Sequence, residues 1–285
     1  MESDPLYQVT EDLRQSEEYG KYMEKIGWKV VRLGNINVFV KRLGPVAIAK
    51  IQRVKMPINF EMVDKMQQEN RVMMCKVEPS FAHSATLSAT EEQAFKSNGY
   101  RLSSWPLLGT KTLRVNLRLV EGEIFKSFKK DARYVLRRAL SAKYEVLRDN
   151  WGGFYDIWKK SARRKSLWIP KEKEYESLIG AFGKNCLAVT IKDLAGAVIL
   201  INKKTAFYYY AGSTTEGTKL NLPYLVVWEA MKEAKKKGCV VWDFEGIYDS
   251  RWPNKGWRGF SHFKKSFGGV EIEFPGSWEK WRWPF

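Results

Sequence analysis

WDFEGIYDSRWPNKGWRGFSHFKKSFGG (242–269) is the stretch from which the rest of the chain is read. Val240, Val241 and Trp242 run as a strand into Asp243, and Gly246 breaks it. A loop follows that holds Pro253, Gly256 and Gly259. The stretch closes on Phe263-Lys264-Lys265 and a Gly268-Gly269 stop. An acid at a strand end, a glycine-containing loop and a lysine pair suit the rim of an active site. The same residues also suit a buried strand, a surface loop and a solvated basic helix.

Upstream, Leu222–Lys237 is expected as a long helix stopped by Gly238. Before it come three apolar runs, Leu187–Ile191, Ala197–Ile201 and Ala206–Ala211, joined by short polar turns as a meander. Phe154–Arg164 and Glu172–Phe182 have helical spacing, and Tyr144–Leu147 reads as a strand. Glu121–Lys143 is expected as one helix. Its core side carries Phe125, Phe128, Ala132, Val135 or Leu136, and Ala139, and another face carries Lys126, Lys130, Arg133 and Arg137. That basic stripe is either a solvated face or an anion-binding one; only Asp131 interrupts it.

The first half alternates as well. Helices are expected over 15–29, with Ser16 as N-cap, over Asn59–Arg71, and over Thr90–Asn98 with Thr90 as N-cap. Strands are expected at Asn37–Leu43, Val46–Val54, Val72–Val77 (stopped by Glu78-Pro79) and Lys111–Leu119. The order of elements predicts a mixed α/β fold, and in the second half it resembles the GNAT acyltransferase fold. The tail, FPGSWEKWRWPF (274–285), is too rich in aromatics to stay exposed and is expected to pack back on the body.

The chain has 285 residues, which suits about two domains. Its formal charge is +17, which favours a polyanionic partner: nucleic acid, a phosphorylated small molecule or an anionic membrane. Cys75, Cys186 and Cys239 lack metal-ligand spacing and read as buried thiols of a reducing compartment. With His83 and His262 the only histidines, no histidine-rich metal site is expected. The polar start of the chain does not read as a signal peptide, and no apolar run is long enough to span a bilayer. A soluble cytoplasmic protein, monomeric and without a cofactor, is the expectation.

The ordered pieces QSEEYGKYMEKIGW (15–28), TLRVNL (112–117), FKKDARYVLRRALSAKYEV (128–146), SARRKSL (161–167), YYYAGST (208–214), LPYLVVWEAMKEAKKKG (222–238), WDFEGI (242–247) and FKKSFGG (263–269) carry a resemblance. Together they resemble the Fem/MurM family of aminoacyl-tRNA-dependent transferases, which build the peptidoglycan cross-bridge. The resemblance implies two GNAT-like subdomains with a cleft between them. These would be residues 1–111, with the tail 271–285 packed on them, and residues 112–270. With no long heptad segment, the chain is similar to the arm-less form of the family. The implied partners are aminoacyl-tRNA and a peptidoglycan precursor, both polyanionic, and peripheral contact with an anionic membrane is compatible.

The resemblance also implies site residues. Arg164 takes the place of a precursor-diphosphate ligand, where a planar guanidinium can bind oxygens in pairs. Lys29, or Arg32 if the register shifts, takes that of a second phosphate ligand. Tyr210 takes that of a cleft tyrosine. Phe263 and Lys264 take that of the pair beside the tRNA acceptor end, with Lys264 as oxyanion stabiliser. Lys265, Arg133 and Arg137 are the phosphate-contacting cations. Two departures stand out. Glu78 falls where relatives have an aspartate in the acceptor wall, with Met73 at their tyrosine, and Glu245 replaces the first glycine of DFGGI. Asp243 is expected as a buried structural acid rather than a general base. An acyl-CoA-dependent acyltransferase and a non-catalytic RNA-binding protein are the alternatives. The first is disfavoured by the glycine-poor 213–222 loop, the second by the ordered motifs of the second half.

Overall fold

The computed structural model describes Leu6, residues 11–80 and residues 86–282. His83, most of the N-terminal stretch and the last three residues of the aromatic tail lie outside them. In chain order, the first elements are α1 (Glu17–Lys25), β1 (Lys29–Leu33), β2 (Ile36–Leu43), β3 (Val46–Val54), α2 (Phe60–Glu69), β4 (Val72–Pro79), α3 (Ala89–Ser97) and β5 (Arg101–Leu102). Then come β6 (Lys111–Asn116), α4 (Glu121–Ser127), α5 (Lys130–Ser141), β7 (Val146–Arg148), α6 (Trp151–Arg164) and α7 (Glu172–Phe182). The rest is β8 (Cys186–Ile191), β9 (Ala195–Asn202), β10 (Thr205–Ser213), α8 (Thr215–Lys219), α9 (Leu222–Lys236), β11 (Val241–Gly246), α10 (Arg258–Lys265), β12 (Val270–Glu273) and β13 (Trp278–Trp281).

The chain forms two compact units. One holds residues 9–111, 248–255 and 272–285, the other residues 1–8, 112–247 and 256–271. In the first, the sheet order is β1-β2-β3-β4-β13-β5. Its β3–β4 pair is parallel, and β13 lies antiparallel between β4 and β5. Residues 248–255, expected with the other half, belong here. Asp249 accepts a hydrogen bond from Thr110 Oγ1 at 2.7 Å, and the Trp252 indole N–H donates to the Ser103 carbonyl at 3.1 Å. The tail adds β13 to this sheet, and Trp278 stacks on Phe95 with ring centroids 4.8 Å apart. Both rings are buried.

In the second unit, the sheet order is β12-β6-β11-β10-β9-β8-β7. β8, β9 and β10 form the expected antiparallel meander, and β10 and β11 are parallel. β9 is buried along its whole length between α9 on one face and α6 on the other, so it reads as a continuous apolar run. The core here gathers Trp242, Phe244, Phe267, Phe128, Leu136 and the apolar side of α9.

Several local expectations change. The 121–143 helix is two helices, broken at Phe128-Lys129, where both residues take extended φ/ψ. Phe128 drops into the core, and Arg133 Nη1 donates to the carbonyls of Lys126 and Phe128, satisfying the end of α4. Lys126 therefore does not share a helix with Lys130, Arg133 and Arg137. The N-cap of α3 is Ser88 rather than Thr90. Its hydroxyl accepts from Glu91 N, and the Glu91 carboxylate accepts from Ser88 N, a reciprocal pair stronger than a lone hydroxyl cap. β4 runs on through Glu78-Pro79, because Gln52 and Val54 of β3 remain in register beside them.

Candidate functional site

β10 and β11 pair only over Thr205–Phe207 against Val241–Asp243. Beyond that point β10 runs on to Ser213 and β11 to Gly246 without further pairing. A bulge in β10 at Tyr209 re-aims the strand against β9. The strands thus part and leave backbone groups that need partners other than each other. The functional side chains of this unit lie along these two strands and the helices that cover them.

Lys264, on α10, reaches β11. Its ammonium donates to the carbonyls of Phe244 and Gly246, both at 2.7 Å, and lies 5.1 Å from the Phe260 ring centroid. Burial lowers its pKa to about 8, against the pull of the Glu245 and Asp243 carboxylates. The cation therefore satisfies the free edge of β11 just past the divergence while holding a proton that it can lose near neutral pH. Phe263, its neighbour, points the other way into an aromatic cluster, 4.9 Å from Tyr224 and 5.3 Å from Phe267. It anchors α10 and has the contacts of a core side chain. The glycines after α10 are required by close approach. At Gly269 φ is +89°, and a Cβ would stand 2.3 Å from the Arg114 carbonyl oxygen.

Asp243 is buried and fully tied. Its carboxylate accepts from Thr112 Oγ1 at 2.5 Å, from Arg114 Nε at 2.9 Å and from the Glu245 amide at 2.8 Å. An acid with three donors on it is a fastener between β6 and β11, as expected from the sequence. Glu245, at the position of the missing glycine, has φ +60°, a conformation that glycine adopts without strain.

Along β10, the Tyr210 ring lies 4.1 Å from that of Trp158 on α6. The helix passes so close because Gly212 has no side chain; a Cβ there would stand 2.9 Å from the Trp158 Cα. At the end of α6, Arg164 Nη2 donates to the Ser213 carbonyl at 3.1 Å and to Thr218 Oγ1 at 3.3 Å. Its guanidinium is exposed and sits over the hydroxyl-rich Ser213–Thr218 turn, an arrangement with capacity for an anion. The 213–222 segment is not an open loop: Thr214 Oγ1 caps the short helix α8 by accepting from Gly217 N.

Of the other expected cations, Lys265 and Arg133 are engaged and the rest are exposed. Lys265 pairs with Glu271 at 2.5 Å. Arg133 is spent on the α4 carbonyls. Arg137 is exposed and lies 5.5 Å from the Phe125 ring centroid. In the other unit, Lys29 and Arg32 are both exposed on β1, three residues apart and so on opposite faces; Lys29 donates to Asn70 Oδ1 at 2.7 Å. Glu78 is 1% exposed, with Oε1 accepting from the amides of Leu107 and Leu108 at 2.7 and 3.1 Å. Its Oε2 is buried without a partner, as is Oε1 of Gln52, its register neighbour on β3. Those two acceptors lie on neighbouring strands, a juxtaposition invisible in the sequence. An open cavity of about 370 Å³ in the same unit is lined by Tyr100, Leu102, Trp252 and Trp278 and includes none of the expected site residues.

No group of acidic, histidine or cysteine side chains suited to a metal occurs among the described residues. The thiols of Cys75 and Cys186 are pushed up to about 12 and that of Cys239 to about 11 by burial, so none is a nucleophile. The chemistry on offer is positioning, charge stabilisation by lysine and arginine, and proton exchange at Lys264.

Residues 187–284 match the FemAB family. No curated protein sequence matches significantly. Among solved structures, FemX aligns over 95% of this chain and 92% of its own, with a TM-score of 0.76 and 15% identity. L-PGS from Bacillus licheniformis aligns over 91% and 86%, with a TM-score of 0.59 and 10% identity. A tandem GNAT protein from the clavulanic acid biosynthesis pathway aligns over 88% and 81%, with a TM-score of 0.53 and 10% identity. The fold is therefore that of FemX and of GNAT-like acyltransferases.

Proposed function

We propose, from a chain of Fem type that matches the FemAB family over residues 187–284, that the protein is an aminoacyltransferase of peptidoglycan cross-bridge synthesis. It moves an amino acid from the ester of aminoacyl-tRNA to an amine on the peptide stem of a cell-wall precursor. The observation that carries this reading is Lys264, a desolvated ammonium held at the free edge of β11 on an acyltransferase fold.

An aminoacyl ester is already activated, so no covalent enzyme intermediate is needed. The neutral acceptor amine attacks the ester carbonyl carbon, and negative charge collects on the carbonyl oxygen. Two N–H groups of Lys264 are engaged by backbone carbonyls, so a third can donate to that oxygen. Collapse breaks the bond to the ribose oxygen, which leaves with a proton while the new amide nitrogen loses one. Arg164, over the hydroxyl-rich turn, binds phosphate oxygens of the precursor. The +17 charge draws both polyanionic substrates.

Labelled aminoacyl-tRNA incubated with a UDP-linked or lipid-linked muropeptide tests the reading: label is expected on the muropeptide. Label that stays on tRNA, together with acyl transfer from acyl-CoA, would replace it. Lys264→Ala is expected to lower kcat by roughly a hundredfold, the scale of a lost oxyanion donor. Arg164→Ala is expected to act mainly on the KM of the precursor. Equal effects of the two variants on both constants would remove the assigned roles.

A further inference from the structure

The connection from α6 to α7 leaves basic and apolar side chains together in water. Arg163, Arg164, Lys165, Ser166, Leu167 and Trp168 are exposed in unbroken succession. Trp168 is 80% exposed, the most of any large hydrophobic side chain among the described residues, and Leu167 is 61% exposed. Leaving an indole and an isobutyl group side by side in water forfeits the stabilisation of apolar burial; the other exposed tryptophans among these residues, Trp105 and Trp281, are 52% and 51% exposed.

The exposure is built into the backbone. Ser166 takes φ +52°, its amide donates to the Arg163 carbonyl at 3.2 Å, and the Leu167 amide donates to the Ala162 carbonyl at 2.9 Å. This pair of bonds is the Schellman ending of a helix, in which the residue at the position of Leu167 usually folds back on an apolar neighbour. Here it is held outward. At the far end, Tyr155 Oη donates to the Pro170 carbonyl at 3.2 Å. The projecting tip is thus fixed at both ends.

Charge surrounds it. Residues 159–173 hold Lys159, Lys160, Arg163, Arg164, Lys165, Lys171 and Lys173 against Glu172 as the single acid. An apolar tip inside a basic collar matches the boundary of an anionic lipid bilayer, where indole rings reside at headgroup depth and lysine and arginine meet lipid phosphates. The adjacent Leu167 and the half-buried Ile169 favour lipid over RNA, since a nucleobase stacks on the indole but gives an aliphatic neighbour nothing to bury in.

We propose that the 163–169 tip is a membrane-docking element that seats the protein on anionic lipid. Given the aminoacyl transfer proposed above, on which this corollary rests, the acceptor is lipid-linked, because Arg164 lies at the base of the same tip.

Co-sedimentation of the full chain with vesicles tests this directly. Binding is expected to vesicles of phosphatidylcholine mixed with phosphatidylglycerol and not to phosphatidylcholine alone. Trp168→Ala, at a solvent-exposed position that leaves the fold intact, is expected to weaken binding about tenfold, and Lys165→Glu to weaken it and flatten its salt dependence. Lys130→Glu with Arg138→Glu on α5 serves as the control for diffuse charge and is expected to matter little. The proposal is overturned if no vesicle binds, if Trp168→Ala binds as the parent does, or if the α5 reversals weaken binding as much as Lys165→Glu. It is also overturned if Trp168→Ala loses single-stranded RNA and keeps vesicles. Where transfer is active, Trp168→Ala is expected to slow it severalfold on a lipid-linked acceptor in vesicles and not on a UDP-linked one. Absence of transfer to both acceptors would count against the aminoacyltransferase reading, while the vesicle result still decides the docking role.

Discussion

Lys264 is where sequence and structure meet most closely. Its place in FKKSFGG marks it as important, but the sequence does not say that its ammonium also closes the edge of β11. Linkage makes this testable. Its pKa is near 8 in the folded protein, below the ordinary lysine value, so between these two the unfolded chain binds the extra proton. The contribution of this residue to stability therefore rises as pH rises from about 8 towards 10.5 and is flat below that window. Compared with Lys264→Met in denaturant melts, the parent is expected to gain relative stability over this range, by at most about 3 kcal/mol. Glu245 makes a second test. At φ +60° a β-branched side chain is strained, so Glu245→Val is expected to lose about 1–2 kcal/mol, whereas Glu245→Gly stays within about 1 kcal/mol of the parent. Asp243 was legible as a structural acid because a buried carboxylate needs donors. Its donors, Thr112 and Arg114, came from a strand that pattern alone could not pair with it.

Among the elements, long and strongly periodic segments were legible and short or interrupted ones were not. α9 and the β8–β10 meander stand within a residue or two of their expected bounds, because their apolar content leaves few other solutions. The break between α4 and α5 was hidden, since Phe125, Phe128 and Ala132 keep helical spacing across it. What marks the break is Arg133, whose side chain replaces the missing turn by binding two carbonyls. Arg133→Ala is accordingly expected to cost about 1–2 kcal/mol of stability, with any weakening of RNA binding traceable to that loss. Arg137→Ala leaves stability unchanged and, if α5 meets tRNA, weakens binding and lowers its salt dependence. Thermal melts paired with filter binding at several salt concentrations separate the two. β1 was not expected as a strand, and only its first residue, Lys29, fell within the expected 15–29 helix; its pairing with β2 supplies the structure.

For the whole molecule, the net charge predicts how partners are gathered rather than how the chain folds. If the proposed aminoacyl transfer holds, its rate at subsaturating tRNA is expected to fall severalfold between low and physiological salt, with kcat changing much less. The expected division near residue 111 came from the family resemblance, not from the order of elements. The return of residues 248–255 to the first unit was not legible, since it depends on Asp249 and Trp252 finding Thr110 and Ser103.

β13 carries a consequence for biogenesis. It fills the place between β4 and β5, yet it emerges from the ribosome about 200 residues after β4, as the pairing of Trp278 with Val77 requires. Until then the nascent chain displays the open flank of β4, a template for pairing with any other extended segment. Early domain-wise folding of the first half is thereby denied its final strand, and the completed sheet has high contact order. Translation pauses that delay β13, or premature stops that remove it, should therefore show up as aggregation of the newborn chain rather than as a shorter folded protein.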